Sequence, residues 1–81
     1  MELKDTVEIM TSEDYKERFK AEYYQLKIRH RKLDEMLRKW AEVKLPFTPA
    51  CSKGLLSEQL TYMEWYLRTL EKRAEIEGIK L

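Results

Sequence analysis

Apolar residues, with one histidine among them, recur at alternating spacings of three and four along two stretches of the chain. The first stretch has seven such positions: Phe19, Tyr23, Leu26, His30, Leu33, Leu37 and Trp40. The second has six: Leu56, Leu60, Met63, Leu67, Leu70 and Ala74. Residues at this spacing fall on one side of an α-helix, so each stretch predicts a long helix with an apolar seam that a second helix must cover.

Capping and turn residues indicate where these helices begin and end. Thr11 and Ser12 offer N-cap oxygens at the start of the first long helix, which is expected over residues 12–43. Two prolines three residues apart then remove amide donors and favour extended backbone, which predicts a turn over residues 44–51. The second long helix is expected over residues 52–77, because Gly78 is of the type favoured just beyond a helix end.

A short N-terminal helix is predicted over residues 1–10, with Leu3, Val7 and Met10 on one side. The short connection between the two long helices favours an antiparallel hairpin. The predicted fold is therefore all-α, a short N-terminal helix followed by a two-helix antiparallel hairpin in a single domain. Because a chain of 81 residues buries a low fraction of its surface, we expect it to form a dimer or larger homo-oligomer.

Composition narrows the class of protein. Hydrophobic residues make up 43% of the chain, which argues against disorder, and a net charge of +1 gives no overall polyanion-binding signature. Cys51 is the single cysteine, so an intramolecular disulfide is excluded. No stretch approaches the roughly 18 apolar residues of a membrane span, and no secretory signal opens the sequence. We therefore expect a protein of a reducing cytosol that makes no membrane contact.

The charges are unevenly distributed along the chain. Residues 1–14 hold five acids and one lysine, whereas residues 15–32 hold seven Lys or Arg against two acids. The electrostatic footprint therefore belongs to the first half of the first long helix. Four residues there share one flank of the helix: Lys20, Tyr24, Lys27 and Arg31. A ring between cations offers a stacking surface for a base and positive groups for phosphate, although a merely solvated flank is the alternative.

Further candidate residues lie outside this flank. Arg29 adds a cation on the same helix, and Tyr62 and Tyr66 on the second long helix are additional rings for bases. Trp65 lies opposite the seam of that helix, and an exposed indole indicates an interface between protomers or a ligand contact. Arg68 is a candidate for the same interface, because aromatic residues and arginine are the usual anchors of protein contacts.

No motif predicts catalysis or a bound metal. His30 lies in the seam without a nearby cysteine or second histidine, which favours a packed or interfacial histidine over a ligand. The sequence contains no nucleophile elbow, glycine-rich phosphate loop or HExxH helix. We therefore expect no enzymatic activity and no cofactor.

Four segments of the chain together resemble a family of short proteins from phages and prophages of Firmicutes. They are ELKDTVEIM, DYKERFKAEYYQLKIRHRKL, FTPAC and MEWYLRTLEKRAEIEGI. The resemblance covers nearly the whole chain and implies a phage origin. In architecture the predicted hairpin is also similar to small phage counter-defence proteins that sequester nucleotide immune signals. This similarity implies an oligomer that holds a cyclic oligonucleotide or an ADP-ribose-type molecule between protomers without cleaving it.

Three other functions stay open. An exposed face carrying Trp65, Tyr62 and Arg68 is also expected of an interaction module that docks on a host defence protein, including a CRISPR nuclease, and blocks it. Nucleic-acid binding through the basic half of the first long helix is a weaker alternative, because the total charge is near neutral and the helices are too long for a helix-turn-helix. A structural role in the virion is neither favoured nor excluded.

Overall fold

The computed structural model describes residues 1–81 and contains helices without any strand. A 3₁₀ turn, Leu3–Thr6, continues directly into α1 (Val7–Met10). Two long helices follow, α2 (Tyr15–Ala41) and α3 (Lys53–Glu77). The molecule is elongated, with extents of 43 × 24 × 17 Å, as the length of the two helices requires.

Both long helices begin at a side-chain cap. The Asp14 carboxylate accepts a hydrogen bond from the backbone amide of Lys16 at 2.9 Å, so α2 starts at Tyr15 rather than at residue 12. The Ser12 hydroxyl, one of the two caps expected from the sequence, instead accepts from the amide of Asp14 at 3.1 Å. Ser52 caps α3 by accepting from the amide of Leu55 at 3.1 Å, which places the start of this helix one residue from its predicted position.

The two long helices pack against each other in antiparallel orientation. The Tyr15 hydroxyl donates to Glu77 at 2.6 Å, and the Tyr23 hydroxyl donates to Glu71 at 2.6 Å. Further along α2, the imidazole of His30 meets the carboxylate of Glu64 at 2.9 Å. Residues early in α2 therefore lie beside residues late in α3, as expected of an antiparallel hairpin.

The buried core lies at one end of the hairpin. Its six members come from the first part of α2, the last part of α3 and the C-terminus: Phe19, Tyr23, Leu67, Leu70, Ala74 and Ile79. Seam residues nearer the connection, such as Leu33, Leu37 and Leu60, are only half-buried. No seam residue is exposed, but the seam closes fully only far from the turn.

The N-terminal segment covers a different side of α2. Thr6 is buried, and its hydroxyl accepts a hydrogen bond from the Gln25 side chain at 2.9 Å. The inward positions are Leu3, Thr6 and Ile9, whereas Val7 and Met10, which the pattern placed inside, are exposed. The reason is the 3₁₀ turn, because residues three apart eclipse one another there and fix the facing side before α1 begins.

The contact between Tyr23 and Glu71 predicts a pH dependence of stability. Burial, reinforced by the hydrogen bond to Glu71, raises the pKa of Tyr23 to about 12 from an ordinary 10.0. A raised folded-state pKa stabilises the fold below the unfolded value, and this contribution is lost as pH rises from 10.0 through about 12. We expect the thermal midpoint to fall above pH 10, and to fall less steeply in Tyr23→Phe. Circular-dichroism melts between pH 8 and 12 measure this, and an identical slope in Tyr23→Phe contradicts the assignment.

The C-terminus of α2 carries a strained residue. Val43 has a φ of 58° and is 91% exposed, and the amide of Lys44 bonds the carbonyl of Lys39 at 2.8 Å in the helix-ending pattern that favours glycine. Gly78 occupies the equivalent position after α3 with a φ of 69°.

We expect Val43→Gly to raise the free energy of unfolding by about 1 kcal/mol, because it removes the left-handed strain of a β-branched residue without losing packing. Urea unfolding tests this against Val43→Ala, which retains the Cβ atom; no gain for glycine contradicts it.

Candidate functional site

Two neighbouring depressions meet on one side of the hairpin. The first, here called the Tyr24 groove, has a volume of about 350 Å³. Its lining residues are Met1, Tyr24, Lys27, Ile28, His30, Arg31 and Asp34. The second, the Trp65 groove, has a volume of about 490 Å³. Its lining residues are His30, Asp34, Arg38, Leu60, Thr61, Glu64 and Trp65. Because His30 and Asp34 line both, the two depressions form one continuous surface across α2 and α3.

The Tyr24 groove exists because α2 is covered on two sides and open between them. Tyr24, Lys27 and Arg31 follow one another at spacings of three and four, so they share the flank between the α3 seam and the N-terminal segment. Ile28 is buried and contributes an apolar surface to the groove. Met1 also lines the groove, because the N-terminal segment folds onto α2. The result is a shallow concavity lined by a tyrosine ring and, further along the same flank, by two cations.

The two cations of this groove are weakly neutralised within the chain. Lys27 takes part in none of the intramolecular ion pairs, and its ammonium lies 5.7 Å from the centre of the Tyr23 ring. Arg31 lies 3.9 Å from Glu35, a long pair between exposed side chains that is worth little. Both positive charges are therefore available to an anionic ligand.

Two polar contacts, one between His30 and Glu64 and one between Arg38 and Asp34, lie at the junction between the grooves. The imidazole Nε2 of His30 lies 2.9 Å from Glu64, and the guanidinium Nε of Arg38 lies 3.1 Å from Asp34. Of the two carboxylates, Asp34 lines the Tyr24 groove and presents hydrogen-bond acceptors beside its cations.

The structure separates the cations that the sequence grouped together. Tyr24, Lys27 and Arg31 line one groove, as their shared flank indicated. Lys20 does not line it, and its ammonium is 3.3 Å from Glu17. Arg29 does not line it either, because two residues correspond to about 200° around a helix and turn it away from Arg31.

The two candidate tyrosines of α3 also lie away from the Tyr24 groove. The Tyr62 hydroxyl donates to Glu58 at 2.6 Å, and this hydrogen bond raises the pKa of Tyr62. The Tyr66 hydroxyl donates to Glu22 of α2. Neither tyrosine lines either groove around His30, so neither shares a cavity with Lys27 and Arg31.

The two residues predicted to form an interface behave differently. Trp65 is 69% exposed and forms one wall of the Trp65 groove. Arg68 is held by the carboxylates of Glu64 and Glu71, whose hydrogen bonds raise its pKa. Trp65 is thus open to a partner, whereas the charge of Arg68 is already compensated.

For the Tyr24 groove, the sequence did not indicate Met1, Ile28 or Asp34 as lining residues. Asp34 follows Arg31 by three residues on the same flank, so helical spacing could have predicted its place in the groove. It was not predicted because only cations and aromatic residues were considered on this flank. Met1 gave no signal, because only the folding of the N-terminal segment onto α2 brings it there. His30 is half-buried and bonded to Glu64, in keeping with its interpretation as a packed histidine.

Two further properties of the chain concern metal binding and membrane spanning. No group of three or more His, Cys, Asp or Glu side chains has an arrangement that could hold a metal ion. None of the helices combines the length and the apolar character that crossing a membrane requires.

Comparison with known proteins gives one match. The model of the Sequestin family matches residues 13–76, a range that includes α2, the connection and almost all of α3. No curated protein and no solved structure matches significantly. The matched range covers most of the chain and carries nearly all the residues of both grooves. The chain belongs to the Sequestin family.

Proposed function

We propose that this protein is a non-catalytic phage counter-defence protein that sequesters a nucleotide-derived immune signal of the cyclic oligonucleotide or ADP-ribose type. The family name, which denotes sequestration, supports the binding role. The resemblance of the sequence to short phage proteins supports the setting in which such binding would act. A sequestering protein needs an affinity and a concentration sufficient to deplete the signal, and it needs no reaction chemistry.

The observation that carries the proposal is that Tyr24, Lys27 and Arg31 line one cavity. A nucleotide combines a flat aromatic base with a phosphate, and these two parts need a stacking surface and a positive charge at short range. Stacking of a base on an aromatic side chain is worth about 1–3 kcal/mol, and charge-assisted contacts to phosphate add specificity. The volume of about 350 Å³ falls at the lower end of the range for small-ligand sites.

The remaining polar groups of the groove fit recognition better than catalysis. Asp34 contacts Arg38 and His30 contacts Glu64, so both groups already have polar partners within the chain. The carboxylate of Asp34 lies on the same flank as Arg31 and is suited to accept hydrogen bonds from ribose hydroxyls. In this proposal the ligand is held through its base, phosphate and sugar and leaves the site unchanged.

Calorimetric titration with cyclic dinucleotides, cyclic trinucleotides and ADP-ribose isomers tests the proposal. We expect one class to bind and to be recovered intact, by mass spectrometry, after the protein is denatured. Arg31→Gln and Lys27→Gln should each weaken binding by about 10-fold to 100-fold, the range for a lost charge-assisted contact of about 1.5–3 kcal/mol.

Arg29→Gln is the matched control for Arg31→Gln. It removes the same charge from the same helix but lies outside the groove, so the affinity should change by less than about threefold, as for a distant screened charge. Equal losses from the two arginine variants would place the ligand elsewhere. Absence of binding by every class, or recovery of a cleaved ligand, would refute the proposal.

A further inference from the structure

The outward side of α3 carries a stripe of large apolar side chains that the chain itself does not cover. Tyr62 is 62% exposed, Trp65 69% and Ile76 85%, and Leu55 is exposed as well. Only 9 of 81 residues are buried, so the single chain leaves much of its apolar surface in water. A surplus of this kind on one helix face indicates a surface that another molecule covers.

The spacing of the stripe is that of a coiled coil. Leu55, Tyr62, Thr69 and Ile76 follow one another at intervals of seven, and Trp65 lies three residues after Tyr62 on the same side. A repeat of seven drifts by about 20° per heptad around a straight helix, and two helices accommodate this drift by a slight left-handed supercoil. The expected occupant of the stripe is therefore another helix with the same repeat.

Two charged residues on the same face of α3 indicate that this helix is α3 of a second copy, in antiparallel orientation. Glu58 and Lys72 are both exposed, and each lies seven residues from Trp65, one before it and one after it. A parallel pair of α3 helices would place Glu58 beside Glu58 and Lys72 beside Lys72. An antiparallel pair centred on Trp65 places each glutamate beside a lysine and brings Leu55 of one copy close to Ile76 of the other.

The two charged groups are free to make this contact. One oxygen of Glu58, Oε1, accepts the hydrogen bond from Tyr62, which leaves the other oxygen unengaged by that contact. Lys72 takes part in none of the ion pairs within the chain. The pattern of apolar and charged positions along the outward face is thus complementary to itself under a twofold rotation.

We propose that two copies of the protein pair through this stripe, with the α3 helices antiparallel around a twofold axis at Trp65 and with Glu58 of each copy against Lys72 of the other. Because Trp65 is also a wall of the Trp65 groove, the second copy stands at the edge of that groove and deepens it. The pairing follows from the α3 face alone and does not depend on which ligand, if any, the grooves bind.

Sedimentation equilibrium of the ligand-free protein tests the pairing. We expect a mass twice the 9.9 kDa of the chain, and a shift to the monomer in Trp65→Glu. Circular dichroism verifies that this variant remains helical. A wild-type protein that stays monomeric at about 100 μM overturns the proposal, since a specific dimer should form well below that concentration.

Charge reversal tests the orientation and register. Glu58→Lys and Lys72→Glu each create two like-charge contacts in the proposed dimer, so each should weaken self-association by about tenfold or more at low salt. An equimolar mixture of the two variants should recover the wild-type affinity, because the mixed dimer again places opposite charges together at both contacts. The differences should shrink at about 1 M salt, where exposed charges are screened.

Glu75→Lys is the control, because this exposed glutamate lies on α3 but off the stripe. It should leave the dimer affinity unchanged. A dimer that tolerates both stripe reversals, or a mixture that fails to recover affinity, contradicts the antiparallel arrangement. Retention of a stoichiometric host protein on the Trp65 face in place of the second copy likewise overturns the proposal.

Discussion

The structure depends on the apolar contact between α2 and α3 at the end of the hairpin far from the turn. There the start of a 27-residue helix packs on the end of a 25-residue helix, and Ile79 completes the core after the chain leaves α3. Gly78 makes this possible, because its left-handed backbone turns Ile79 back toward Ala74. Toward the turn the same seam continues with half-buried residues, so the hairpin is firmly closed at one end only.

This constraint positions the candidate site. With α3 on one side of α2 and the N-terminal segment on another, the flank between them stays open and holds Tyr24, Lys27 and Arg31. The groove is therefore built mainly from α2. Helical spacing determines the positions of its cations, and the packing of α3 and the N-terminal segment on α2 determines its edges. His30, a half-buried residue of the seam, lines both this groove and the Trp65 groove. Trp65, at the far side of the second groove, belongs to the outward face of α3. Ligand binding and self-association thus involve neighbouring parts of the same surface.

Much of the fold was predictable from the sequence because local rules govern it. The seam residues and the stop at Gly78 lie where helical spacing and helix-end preferences placed them. The parts that were not predictable depend on tertiary contacts. The 3₁₀ turn that buries Thr6 could not be inferred from apolar periodicity, and the choice of Asp14 over Ser12 as a cap depends on how the chain leaves α1. For the site, helical spacing grouped Tyr24 with Lys27 and Arg31, but only the packing of α3 shows that Tyr62 and Tyr66 lie elsewhere.

A comparison of two seam leucines tests most directly whether the hairpin is closed at one end only. Leu70 is buried in the core cluster, whereas Leu33 is half-buried nearer the turn. Chemical denaturation of Leu70→Ala should show a loss of about 2–5 kcal/mol in the free energy of unfolding, as for an emptied core leucine. Leu33→Ala should cost clearly less, because the side chain is already partly in water and leaves no closed cavity. Equal losses, or a larger loss at Leu33, would contradict this account of the core.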